Sequence, residues 1–244
     1  MKRLLAALLL ISTPVAAADL KVLGIGALNP GFARIVEQYK GEKGHNVTAV
    51  MDTATGVSRR LAAGETADVL IAPDSVIDDA ANQSKIIVST KTPIVRIGIG
   101  IATRRGATAP NVATVDALKQ ALLNADSITY NQGSSGLYID KLIEQMGIAD
   151  RVKAKTVRYA NAAQVLQHVM NGKGNDIGFS PLPEIITGDP NRVQLAGPLP
   201  AGAQNFTNYV GVVMTGGNAD VGKDFIRYLT TAGAKQIFSA TGVE

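Results

Sequence analysis

The chain has 244 residues, 46% of them hydrophobic and 18% charged, with a formal net charge of +4, 25 glycines and no cysteine or tryptophan. This length suits one large domain or two small lobes, and the composition is that of an ordinary globular α/β protein. Without cysteine there is no thiol catalysis, thiolate metal site or disulfide, and without arginine-rich or aromatic-basic runs nucleic acid is not expected as a partner.

Met1-Lys2-Arg3 is basic, Leu4 to Ile11 is apolar but too short to span a bilayer, and Pro14 precedes the small residues Ala16-Ala17-Ala18. This order predicts a secretory signal peptide over residues 1–18, cut before Asp19. The mature chain is then exported, with no membrane span and no cysteine to carry a lipid anchor.

The first α/β series starts with a buried strand, Leu20 to Gly26, and a turn through Pro30. Phe32, Ile35, Val36 and Tyr39 fall at helical spacing and predict a helix over 31–43. A strand over 46–51 leads through Asp52-Thr53-Ala54-Thr55-Gly56 into a helix over 57–63, stopped by Gly64. A strand over 67–72 and a helix from Pro73-Asp74 follow. Strands alternating with helices at this spacing predict a parallel sheet.

Pro93 to Thr103 is a long β-rich run that reads as one strand bridging two lobes, closed by Arg104-Arg105-Gly106. A second α/β series follows: a helix over 114–124, a strand over 127–130, the turn Asn131-Gln132-Gly133-Ser134-Ser135-Gly136, and a helix opening at Leu137. A strand over 153–159, a helix capped by Asn161, a strand over 175–180 and a short strand over 193–196 complete it. Tyr209 to Met214 is a second long β run, followed by helices after Asn218 and over 234–239. The chain thus leaves lobe one, builds lobe two and returns, with boundaries at 19–97 plus 205–244 and at 98–204. That layout puts a ligand cleft between the lobes and permits hinge closure.

Chemistry-bearing motifs are few. Gly24-Ile25-Gly26 lacks the third glycine of a dinucleotide fingerprint, and neither a P-loop nor a nucleophile elbow occurs. His45 and His168 are far apart, so no metal site and no cofactor is expected. The better signal is four strand-to-helix junctions: 26–31, 52–56, 132–136 and 159–161. At the carboxyl ends of sheet strands, turns rich in Thr, Ser, Asn and Gly present N–H groups and hydroxyls suited to a small anion.

The stretch from Leu61 through Ala67-Asp68-Val69-Leu70-Ile71-Ala72 to Asp74, and the end from Asp224-Phe225-Ile226-Arg227-Tyr228-Leu229 to Gly242, resemble periplasmic substrate-binding proteins of the molybdate-binding type. The resemblance covers residues 19–244. It implies an α/β type II periplasmic-binding-protein fold, with two α/β lobes joined by a two-strand hinge, and a monomer that delivers a small anion to an ABC transporter permease. It also implies ligand loops at Ala27-Leu28, where the family uses serine, and at Thr53-Ala54-Thr55, where it has a run of serines. A family tyrosine falls at Phe179. The lost hydroxyls weaken the case for a tetrahedral oxyanion, because a buried anion needs its donors.

The donors expected here are Thr53, Thr55, Gly133, Ser134 and Ser135 beside Ala27 and Leu28, with Tyr159 nearby and Arg96 or Arg158 neutralising charge. Arginine forks suit carboxylates, so an organic polycarboxylate stands beside an inorganic oxyanion. Some relatives similar in sequence are aconitate isomerases, which interconvert trans- and cis-aconitate by an allylic proton shift without a cofactor. For that alternative the acid/base candidates are Asp52, Tyr159 and Glu184, with His168 behind them.

Overall fold

The structure is a computed structural model that describes residues 17–244. The signal segment expected over 1–18 therefore lies almost wholly outside the described residues.

The first sheet is built from β1 (Asp19–Ile25), β2 (Asn46–Asp52), β3 (Val69–Pro73) and β4 (Thr92–Ile97). Between them lie α1 (Asn29–Lys43), α2 (Ala54–Ala62) and α3 (Asp74–Asn82). Local chemistry sets the helix ends: Pro30 opens α1, Gly44 closes it at φ 74°, and the Thr53 hydroxyl accepts the Gly56 N–H to cap α2.

The second sheet uses β5 (Ile99–Arg104), β6 (Ser127–Asn131), β7 (Thr156–Tyr159), β8 (Asp176–Pro181) and β9 (Val193–Pro198). Its helices are α4 (Val115–Asn124), α5 (Ser134–Gln145), α6 (Ala149–Val152), α7 (Ala162–Asn171) and α8 (Leu182–Ile186). The chain then returns as β10 (Thr207–Val213), followed by α9 (Ala219–Leu229) and α10 (Ala232–Ser239).

The strand orders are β2-β1-β3-β10-β4 and β7-β6-β8-β5-β9. Both sheets are mixed, which corrects the expectation of parallel sheets. β1, β2 and β3 pair in parallel, as do β6, β7 and β8, but β10 runs antiparallel to β3 and β4, and β5 antiparallel to β8 and β9. The strands that carry the chain between sheets enter from the opposite direction and cannot follow the βαβ handedness of the rest.

The run 93–103 is likewise two strands, β4 in one sheet and β5 in the other, broken at Gly98. A Cβ at Gly98 would press on Phe206, Gln204 and Leu182 at 3.2–3.3 Å. Gln204, on the returning crossing, clasps this point: its Oε1 accepts the Ile99 N–H at 2.9 Å and its Nε2 donates to the Ile99 carbonyl at 3.0 Å. One side-chain amide thus ties the two crossings with the bonds a strand neighbour would make.

The apolar cores stay separate. Leu20, Leu23, Phe32, Ile71, Val212 and Phe225 belong to one buried cluster on the first sheet, while Ile101, Ile128, Ile139 and Phe179 belong to another on the second. The space between them is left to the ends of β1, β2, β6, β7 and β8.

Candidate functional site

A cleft of ≈ 730 Å³ lies between the sheets, lined from the first by Ile25–Ala27, Asn29, Met51–Ala54 and Tyr209. From the second it is lined by Asn131, Gly133–Ser135, Asn161–Ala163, Pro181, Glu184 and Thr187. Its walls are strand ends and helix starts, as the four junctions predicted.

Two turns face each other across it. At the end of β2, Asp52 folds over the start of α2: its Oδ1 accepts the Thr53 N–H at 2.8 Å and its Oδ2 accepts from Arg60 Nε at 3.0 Å. Gly56 lies under this carboxylate, with no room for a Cβ. Partial burial raises the Asp52 carboxyl, but the hydrogen bonds from Arg60 and the Thr53 N–H, with the charge of Arg60 and Arg59, outweigh it and hold the group below the usual carboxylate range.

At the end of β6, Asn131 takes the matching place. Its Oδ1 accepts the Gly133 N–H at 2.8 Å, and Ser135 Oγ lies 3.5 Å away. Gly136 packs against the Asn131 carbonyl so closely that no side chain fits. No side chain caps α5, so its first-turn N–H groups beside Ser134 and Ser135 are open to a ligand. Asn161 caps α7 by accepting the Gln164 N–H.

Asp52 and Glu184 are the ionisable acids on the cleft wall, and among the described residues no lysine or arginine lines it. Glu184 sits in the first turn of α8, and among the described residues its carboxylate has no hydrogen bond or ion pair. Burial pushes its pKa up to about 7. Tyr209, 5% exposed, shares the wall. Burial, with the nearby Glu184 charge, raises its phenol further above the ordinary value.

The structure therefore brings Ala27, Thr53, Gly133, Ser134, Ser135, Asp52 and Glu184 together, and not the remaining candidates. Leu28 is 1% exposed in the first core, and Thr55 faces solvent. Arg96 is bound to Glu244, with Nε at 2.9 Å and Nη2 at 2.6 Å from Oε2, and lies over the Phe206 ring at 4.4 Å. Arg158 pairs with Asp140, which also accepts from Tyr130 Oη at 2.6 Å. One or the other arginine was expected to neutralise the ligand; both are engaged with carboxylates outside the cleft wall.

Tyr159 and His168 lie in a separate hollow, in a chain running from Tyr159 Oη to His168 Nδ1 (2.9 Å) and from His168 Nε2 to Ser127 Oγ (2.8 Å). Ser127 in turn donates to the Asp176 carboxylate, so its proton is committed there and not to the histidine. Phe179 is buried in the second core, and Tyr209 supplies the phenol at the cleft instead. Neither Asn131 nor Tyr209 was expected there. A polar residue closing β6 just before an uncapped serine turn was the available signal for the first; only the course of β10 locates the second. Among the described residues no group of three or more His, Asp or Glu is placed to hold a metal ion.

Comparison with known proteins fits this architecture. The model of the family described as bacterial extracellular solute-binding protein matches residues 20–244. The aconitate isomerase of a Pseudomonas species is 26% identical to the chain, over 98% of it and 94% of that protein. The periplasmic molybdate-binding protein of Azotobacter vinelandii superposes with a TM-score of 0.76 at 16% identity, covering 92% of this chain and 98% of the other. Campylobacter jejuni Peb3, in a structure with L-phospholactate bound, superposes with a TM-score of 0.71 at 16% identity, covering 93% and 99%. Two mixed α/β units, crossed twice by the chain and matched over 92–93% of it by such proteins, are the type II periplasmic-binding-protein fold, and the chain belongs to the bacterial extracellular solute-binding protein family.

Proposed function

We propose that the cleft binds a small organic anion carrying carboxylate groups, that the chain works in the periplasm, and that it presents this ligand to an ABC transporter permease. The observation that carries this reading is the start of α5, which has no side-chain cap and places Ser134 and Ser135 on the cleft wall, whereas Thr53 and Asn161 cap the starts of α2 and α7 there. Donors fixed in advance at a helix N-terminus lower the cost of desolvating an anion. Closure of lobe 19–97 plus 205–244 onto lobe 98–204 would bring Thr53 and Ala27 against the far side of the ligand. With no arginine on the wall among the described residues, the anion would be held by backbone dipoles, by the serine hydroxyls and by a hydrogen bond from protonated Glu184.

A second reading is favoured by Glu184 and by the resemblance to an aconitate isomerase. A partnerless carboxyl with a pKa of about 7 serves equally as base and acid near neutrality. Glu184 would take a proton from the methylene carbon of trans-aconitate. The electron pair would spread over the allylic carbons and the adjoining carboxylate, held by the α5 donors. The same proton would return to the far allylic carbon, moving the double bond and giving cis-aconitate.

The test is a thermal-shift panel of molybdate, tungstate, sulfate, phosphate, citrate and trans-aconitate, followed by proton NMR of trans-aconitate with catalytic amounts of protein. A shift with carboxylates alone supports the first reading, and conversion lost in Glu184→Gln supports the second. A shift confined to molybdate or sulfate sinks both.

A further inference from the structure

Asn131 is 5% exposed, ends β6 and lines the cleft. The Gly133 N–H and the Ser135 hydroxyl both converge on one terminal atom of its amide, at 2.8 and 3.5 Å. That atom must be the oxygen, because a flipped amide would set its NH₂ against an N–H donor. The Nδ2 group therefore points away from the turn, and among the described residues no acceptor meets it. Nor is it walled in: the fully enclosed side-chain atoms without a partner are Arg104 Nε, Thr129 Oγ1 and Ser180 Oγ. A largely buried donor with two unspent protons thus opens to the cleft beside Ser134 and Ser135.

Asp52 occupies the matching place across the cleft, and the two side chains differ by an oxygen for an NH₂ group. Asp52 faces the ligand space with acceptor atoms and a negative charge that Arg60 compensates from behind. Asn131 faces it with donors and no charge. An acid at position 131 would put a third carboxyl on a wall that already holds Asp52 and Glu184 and, among the described residues, no lysine or arginine.

We propose that Asn131 is a ligand-binding, specificity-determining residue, whose Nδ2 donates to a carboxylate of the ligand and seats the ligand's anionic end on the β6–α5 turn, away from Asp52. The inference rests on the reading of the cleft as a carboxylate site. It adds the orientation of the ligand and the residue that sets it.

Isothermal titration of the purified protein with citrate and with trans-aconitate tests it, using Asn131→Asp, Asn131→Ser and Asp52→Asn. Asn131→Asp keeps an oxygen for the Gly133 N–H, so its unliganded thermal midpoint should stay within a few degrees of wild type while affinity falls about thirtyfold from like-charge contact. If that variant does not fold, Asn131→Ser removes the Nδ2 group without adding charge, leaving only a shorter hydroxyl engaged by the turn, and should lose about fivefold. Asp52→Asn should bind about threefold more tightly. Affinity within twofold of wild type in the folded Asn131 variant overturns the assignment, and a tenfold loss in Asp52→Asn overturns the orientation. If the wild-type protein binds no carboxylate at all, the carboxylate reading itself fails and the assignment with it. If it binds and the Asn131 variant is unaffected, only the role of Asn131 fails.

Discussion

The turns after β2 and β6 have the same architecture and opposite electrostatics. In each, a short polar side chain at a strand end folds back over the next helix, and a glycine gives it room. The β2 turn is closed on itself: Asp52 takes the Thr53 N–H, the Thr53 hydroxyl takes the Gly56 N–H, and Arg60 holds the remaining carboxylate oxygen. The β6 turn is left more open: Asn131 accepts the Gly133 N–H and, at 3.5 Å, the Ser135 hydroxyl, but no side chain caps α5. Similar backbones thus yield one turn that has used its donors and one that offers them. A cleft built of both gives a ligand a polarity and not merely a place.

The largest test of this contrast is steric. Gly136→Ala would drive a methyl into the Asn131 main-chain carbonyl, which cannot move aside, whereas Gly56→Ala meets the Asp52 side chain, which can. We expect Gly136→Ala to cost at least about 4 kcal/mol, near 10 °C in thermal midpoint, and Gly56→Ala about 1 kcal/mol. Equal losses would show that the two turns are not built as described.

The two cleft carboxyls differ in the same way as the turns: Asp52 is partnered by Arg60 and Glu184 is not. Glu184 ionises at about 7 in the folded chain against 4.5 for the free group, so between these values the folded state holds the extra proton. Stability from this group therefore falls as pH rises across that window, and the loss is complete above it. Glu184→Gln escapes the loss. It should match wild type near pH 4 and exceed it by about 3 kcal/mol at pH 8, read from urea midpoints at the two pH values.

A smaller effect separates donor from cap. Replacing Ser134 and Ser135 together by alanine should weaken carboxylate binding about tenfold, or 1.4 kcal/mol. Thr53→Ala should instead lower stability by about 1 kcal/mol through the lost cap, with affinity changed about twofold. Calorimetry and thermal melts on the same samples separate the two; a reversed pattern would mean the β2 turn is the open one. The smallest change is expected at Arg158, whose partner is Asp140: Arg158→Gln should alter affinity by less than about twofold.

Much of this was legible from local chemistry. Thr53, Asn161, Asn218 and Thr231 all cap helices through their own side chains, each within three residues along the chain. The turns that line the cleft could be picked out because glycine, serine and threonine at strand-to-helix junctions are a nearest-neighbour signal. The arginines could not be placed that way. Whether Arg96 or Arg158 is free for a ligand depends on Glu244, 148 positions away, and on Asp140, which lies on α5 and pairs with Arg158 of β7. The break at Gly98 was hidden for a similar reason. Residues 93–103 read alike on both sides, and only pairing with β10 in one sheet and with β8 and β9 in the other divides them.

The order of strands and helices, their caps and the donor-rich turns were set by contacts a few residues long, and the chain's own letters suffice for those. Which turns face one another, which charges are already spent, and that Glu184 and Tyr209 share a wall with Asp52 and Asn131 are consequences of long-range packing. Burial and Coulomb interactions depend on distance in space, so the chemistry of the cleft was decided only when the two sheets brought their strand ends together.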